Sequence, residues 1–253
     1  MEKEKIINLF EELRTRLMII AVAVFLLAIV SFTFSDEIRY ILLLPAEMAY
    51  SGLDADGLDL QLIFLTPSEA LVANLRLAFI TSGIVTLPLI LYQLLALALV
   101  AVGKARKSAV MLTLIMYFLF ALGISFSYFV VLPFALNFFI GFSGADLMPS
   151  FSIARYISFT TSFILSFGLV FQMPVFFWFL GSIGLITTAF LRKNRKFALL
   201  IIIIFASVLT PPDIFSQVLM AIPLMLLYEL GIFMVFLAWR KKKSPDLPDA
   251  STG

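Results

Sequence analysis

The sequence predicts an all-α membrane protein whose six transmembrane helices form a bent, concave bundle under a helical outer cap. Three observations carry that prediction. Hydrophobic residues make up 62% of the chain and charged residues 13%, against about half and about a quarter in soluble domains. The apolar residues lie in long unbroken runs rather than alternating, and backbone in lipid must satisfy its own hydrogen bonds, so helices are preferred to a barrel. The basic residues, finally, collect at alternate ends of those runs, as expected when Lys and Arg are retained on the inner side.

Each element follows in order. An N-terminal segment, 1–14, leads into a first span at 15–34. It is too long for a removed signal peptide and lacks a small-residue cleavage site before "SDEIRY". The connection 35–68 exceeds a simple turn and contains the apolar "IRYILLLPAEMAY" with Pro45, which reads as a short helical cap. Spans at 69–99, 108–132 and 156–180 follow. The fifth, 196–209, is short: Phe197 to Leu209 is 13 residues before Pro211 and Pro212 stop it. That is about 20 Å of helix against a hydrocarbon core of about 30 Å. The sixth, 214–239, runs into a basic tail, 241–253. Fifteen of the 18 basic residues fall on one side: those before or opening the first span, Lys104 to Lys107, Arg192 to Lys196, and Arg240 to Lys243. Both termini are therefore expected on the cytoplasmic side, which needs an even number of spans. Nine carboxylates, from Asp36 to Asp213, populate the other. The whole chain, 1–253, reads as one membrane domain.

Composition also excludes chemistry. There is no cysteine and no histidine, so thiolate or imidazole metal sites, bis-histidine haem, cysteine nucleophiles and Ser-His dyads are ruled out. No phosphate-binding G-x-x-x-x-G-K-[ST] loop is present, so any energy source lies outside the chain. The net charge of +2 gives no argument for nucleic acid. No enzyme activity, metal or cofactor is expected.

What remains is a small set of polar residues inside apolar runs, where ionisable groups are costly. Glu229 lies ten residues before Trp239, about 15 Å inside the last helix, and must be paired, watered or protonated. Gln172 precedes Pro174, whose missing N–H frees a carbonyl; the amide is either a socket for another helix or an intrachain bond. Pro88, Pro133 and Pro223 also interrupt apolar runs and should kink their helices. In "VLTPPDIFSQ", the prolines end one helix, Asp213 is placed to cap the next, and Thr210 and Gln217 are left near the outer interface.

Four stretches together resemble the TatC family, the multispanning subunit of the twin-arginine protein translocase. "LTPPDIFSQVLMAIPLMLLYELGIF" at 209–233 is similar to its fifth-to-sixth helix segment, and "LFEELRTRL" at 9–17 to its "HLxELRxRL". "LTPSEAL" at 65–71, with Ser68, matches its "SPxE", and "FGLVFQMP" at 167–174 its "FGxxFExP". The chain departs at three places. Ala105 stands where a second glutamate is expected, Gln172 replaces the family's intramembrane glutamate, and its N-terminal histidine reads as asparagine or leucine around Asn8. The chain thus resembles a divergent member.

The resemblance implies a receptor. It places twin-arginine signal-peptide binding at Glu12, Arg14 and Leu17, because a guanidinium pair is well met by carboxylates in a partly desolvated site. It places docking of single-span TatA- and TatB-type partners at Gln172, Thr210 and Gln217, and structural roles at Pro45, Ser68, Pro174, Asp213 and Glu229. Export of folded proteins would draw on the proton-motive force, from a bacterial or archaeal cytoplasmic membrane, within a complex holding several copies. Two other classes compete: a proton-coupled small-molecule transporter using Glu229 and Arg76, and a scaffold without signal recognition.

Overall fold

The computed structural model describes residues 2–51, 62–63, 65–101, 106–142, 151–209 and 214–242. Ten α-helices are described: α1 Glu2–Thr33, α2 Ser35–Ser51, α3 Glu69–Ala101, α4 Arg106–Phe126, α5 Leu132–Phe142, α6 Ile153–Val170, α7 Met173–Ile183, α8 Thr188–Lys193, α9 Arg195–Leu209 and α10 Ile214–Lys242. The described residues include five spans long and apolar enough to cross a bilayer: Glu11–Thr33, Glu69–Ala96, Val110–Phe139, Ile153–Ile183 and Met220–Arg240. The sixth apolar helix, α9, has 15 residues, about 22 Å of rise. It falls short of the core thickness, as the prolines at 211 and 212 foretell. The protein is a multi-pass membrane protein.

Prolines shape the spans. Ahead of Pro133 the helix relaxes into a π-helical turn, Ser127–Val131, in which the Leu132 N–H donates five residues back to the Ser127 carbonyl. The ring cannot donate to residue 129 and crowds that turn, which is why the ladder lengthens there. Ahead of Pro174 the helix breaks at Phe171 and Gln172, and α7 restarts with the proline in its first turn, where no N–H is needed. The third and fourth spans are therefore each bent in the middle. Pro88 and Pro223 are carried inside α3 and α10.

The packing order runs from α1 against α3, through α4 and α6, to α7 against α10, with α9 packed on α10 and more lightly on α6 and α8. Small residues set the closest approaches. Gly181 sits against Val235 and Gly231 against the Phe177 ring, so equal steps along α7 and α10 stay in register and the two helices run parallel. A buried cluster that includes Leu77, Leu132, Ile157, Phe163, Phe167, Leu224 and Val235 joins these helices into one core.

The predicted outer cap is α2, which lies on α5 with smaller contacts to α3 and α6. Its Pro45 is fully buried, and lacking an N–H it leaves the Ile41 carbonyl without a helical donor. The Tyr128 hydroxyl donates to that carbonyl, and the Tyr156 hydroxyl donates to the next one, Leu42, at 2.9 Å. Two bulk tyrosines from the third and fourth spans thereby pin the cap. A two-residue parallel ladder, β1 Leu62–Ile63 with β2 Phe151–Ser152, ties the connection before α3 to the one before α6; periodicity gives no sign of so short an element. The tail from 243, the segment 52–61, and Ala105 lie outside the described residues.

Candidate functional site

The N-terminal motif forms a buttressed carboxylate. Because α1 and α3 pack antiparallel, Arg16 faces Gln93 near the far end of α3. Arg16 Nη1 donates to the Gln93 side-chain oxygen at 2.8 Å and to its backbone carbonyl at 3.2 Å. One turn earlier on α1, Glu12 Oε1 accepts from Arg16 Nη2 at 2.6 Å and from Nε at 3.2 Å. The Arg16 side chain is only 12% exposed, the Glu12 side chain 35%. Both bonds fall on Oε1, and among the described residues Oε2 takes none.

This revises the sequence reading in one respect. Arg14, taken as the neighbour of Glu12, is exposed and two residues on, about 200° around the helix. The residue that pairs is Arg16, and the i,i+4 Glu-to-Arg spacing was the available signal. Gln93 left only a lone amide in an apolar run as a clue. Leu17 is half exposed beside the motif.

In the middle of the bundle, the Gln172 amide nitrogen donates to the Met116 carbonyl on α4 at 3.1 Å and to Gly168 at 3.3 Å. Its oxygen is buried with no partner among the described residues. The donor half of this side chain is thus committed to intrachain bonds, and the acceptor is enclosed within the bundle. Pro174 beside it is fully buried.

Between α9 and α10 lies an apolar groove of about 380 Å³, lined by Leu199, Ile203, Gln217, Val218, Ala221, Ile222 and Met225. Gln217 is its polar member and donates to the Ile203 carbonyl at 3.0 Å. Thr210 and Asp213, assigned with it from the sequence, lie outside the described residues, and so does the predicted cap at Asp213.

In the turn before α3, Ser68 is exposed, and its carbonyl accepts from the Val72 N–H at 3.1 Å. The next residue does more. The Glu69 carboxylate accepts from the N–H groups of Leu65 at 2.5 Å, Thr66 at 3.3 Å and Ala154 at 3.2 Å, and from the Ser152 hydroxyl. It links the start of the second span to the start of the fourth, a role that sequence spacing could not reveal because the partners are more than 80 residues apart.

Glu229 is paired: its Oε2 lies 2.6 Å from Arg195 Nη2 at the start of α9. Arg76 is exposed on α3, two turns from its start. Of the two groups named for a transport pathway, the carboxylate already has its cation.

Comparison with known proteins agrees with this architecture. A family model described as Sec-independent protein translocase protein (TatC) matches residues 8–223. A Sec-independent protein translocase protein TatC of Carboxydothermus hydrogenoformans is 36% identical over 236 residues, covering 91% of this chain and 93% of the relative. One from Aquifex aeolicus is 37% identical over 235 residues, covering 92% and 95%. A crystal structure described as the twin arginine translocase receptor TatC superposes with a TM-score of 0.80 at 34% identity, covering 92% of this chain and all of that one.

Proposed function

This chain belongs to the TatC family, and from that premise we propose that it is the receptor subunit of a twin-arginine translocase, which binds signal peptides and exports folded proteins. It is a component of that machinery and not an enzyme. The observation that carries the reading is the full-length match in sequence and fold to a twin arginine translocase receptor.

At residue level, the signal-peptide contact is Glu12. Gln93 holds Arg16, Arg16 holds one carboxylate oxygen, and the second is left for an incoming guanidinium. A bidentate or end-on arginine contact in a half-buried site is stronger than the same contact in water. Arg14 and Leu17 flank the tag on the exposed side of α1. With alanine at 105, one carboxylate meets two cations, while Lys104, Arg106 and Lys107 oppose them. Binding is accordingly weaker than in a two-carboxylate relative, and selectivity rests on Glu12.

Both termini face the cytoplasm of a bacterial or archaeal inner membrane, in keeping with the one-sided placement of the basic residues. Single-span TatA- and TatB-type helices dock in the α9–α10 groove, where Gln217 offers a hydrogen bond on an apolar wall. Several copies assemble in the working complex.

The test is binding of a twin-arginine peptide to the full chain in lipid, together with rescue of export in a bacterium lacking its own TatC. Glu12→Ala should abolish both, and Ala105→Glu should tighten binding about tenfold, the gain of roughly one charge-assisted bond. Equal binding of native and lysine-substituted tags, or indifference to both substitutions, would overturn the site. A disulfide between Gln217→Cys and a cysteine in a TatB-like helix is the expected sign of docking; its absence with the partner expressed would reject that surface.

A further inference from the structure

Gln217 is the one polar residue lining the α9–α10 groove. The stripe that forms the groove continues past that lining. On α10, Val218, Ile222 and Met225 recur at steps of four and three, and the next position of the same stripe is Glu229. On α9, Ile203 and Leu199 are one turn apart, and one turn further toward the start of the helix is Arg195. Glu229 Oε2 and Arg195 Nη2 meet across this seam at 2.6 Å. The trough between the two helices is thus polar at both ends, with Gln217 near the start of α10 and the ion pair about 18 Å further along it. Hydrocarbon side chains lie between.

The pair is not completed by its own chain. Glu229 falls near the middle of the span Met220–Arg240, yet its side chain is 40% exposed and that of Arg195 46%. One contact joins them: among the described residues Glu229 Oε1 takes no hydrogen bond, and Arg195 Nε and Nη1 give none. Arg16 differs, because it is nearly buried and spends a further nitrogen on Gln93. Lipid offers neither donors nor acceptors, so hydrogen-bonding capacity left open within a span is costly until another protein group meets it.

The open capacity selects the chemistry of that group. One acceptor and several donors stand side by side on a pair with no net charge. A cation or an anion brought to it would leave one charge uncompensated. A side-chain amide adds no charge, and it donates to Glu229 Oε1 while its oxygen accepts from Arg195. An acyl chain could cover the apolar middle of the trough but meets neither end. A helix meets both, since residues 11 apart return to within about 20° of one face and lie about 16 Å apart, close to the spacing of the two polar ends.

We propose that the Arg195–Glu229 pair is a second recognition point of this groove, taking a side-chain amide from a single transmembrane helix whose other polar residue, three turns away, reaches Gln217. The inference rests on the reading of the groove as the docking surface, and it adds the side-chain chemistry that a partner must carry.

The test measures energy transfer between the labelled full chain in lipid vesicles and synthetic leucine–alanine helices flanked by lysines. One probe carries two glutamines 11 residues apart, a second replaces one of them by leucine, a third by lysine, and a fourth places the two glutamines 9 residues apart, on opposite faces. The first should bind about tenfold more tightly than the other three, the scale of one or two interhelical hydrogen bonds. The double variant Arg195→Leu, Glu229→Leu should erase that advantage, whereas Gln217→Leu should weaken the probes with one and two glutamines by the same factor. If the double variant does not fold, the comparison of probes on the native chain decides by itself. Equal binding with and without the second glutamine, an equal gain from the misplaced one, or a gain that survives the double variant overturns the proposal, and sensitivity to Gln217 then leaves the docking surface standing. Failure of every probe to bind, the result if lipid or a second copy of the chain holds the groove, overturns the docking surface and this proposal with it.

Discussion

Replacing Arg16 by glutamine should detach α1 from α3, because α1 packs chiefly on that one helix. The guanidinium is nearly buried, and its Nη1 bonds to Gln93 are charge-assisted. Such a bond contributes about 1.5–3 kcal/mol when one partner is ionised. The two bonds share one nitrogen, so they count once. The ion pair with Glu12 adds about 0.3–0.5 kcal/mol, the value for an i,i+4 pair with an exposed partner. The expected loss is about 2–3 kcal/mol, and at about 2–4 °C per kcal/mol for a chain of this size it lowers the unfolding midpoint by about 4–12 °C. Thermal unfolding in one detergent at a fixed scan rate, followed by circular dichroism, measures it. Arg14→Gln is the internal comparison: it removes the same charge two residues away from an exposed side chain and should leave the midpoint in place. If the two variants unfold within about 1 °C of each other, the buttress does not hold the helices together and the argument fails.

Other outcomes follow from the packing. Gly231→Ala would place its methyl 2.3 Å from a Phe177 ring carbon, so it should destabilise by about 1–3 kcal/mol through overpacking. Gly83→Ala, with nothing within 4 Å, should be neutral or stabilising in the same melting assay. Tyr128→Phe should cost about 1 kcal/mol in the native background, but less with Pro45→Ala, because an alanine N–H at 45 can satisfy the Ile41 carbonyl itself; a double-mutant cycle reads the difference. Glu69→Gln should speed hydrogen exchange at the Leu65, Thr66 and Ala154 amides while leaving α1 unchanged, and equal protection in the two proteins would show that the carboxylate does not clamp the outer connections.

Much of the molecule was legible along the chain. Long apolar runs have no stable state in lipid except the helix, so the spans, the short α9 and the breaks at Pro133 and Pro174 follow from local chemistry. The one-sided basic residues predict an orientation by a similarly local argument, since the cost of moving charge through lipid falls on each residue separately. Pairings between distant segments were another matter. That Arg16 and not Arg14 meets Glu12 could be reached from helical spacing, but its anchor at Gln93 could not. Nor could the convergence of Leu65, Thr66, Ser152 and Ala154 on Glu69, the burial of the Gln172 oxygen, or the choice of Arg195 as the partner of Glu229. An unpaired polar group in an apolar run announces that it needs a partner. Which partner it finds depends on how the helices cross and at what depth, and that is decided only when the packed faces, with their glycines and kinks, bring residues far apart in sequence within hydrogen-bonding distance.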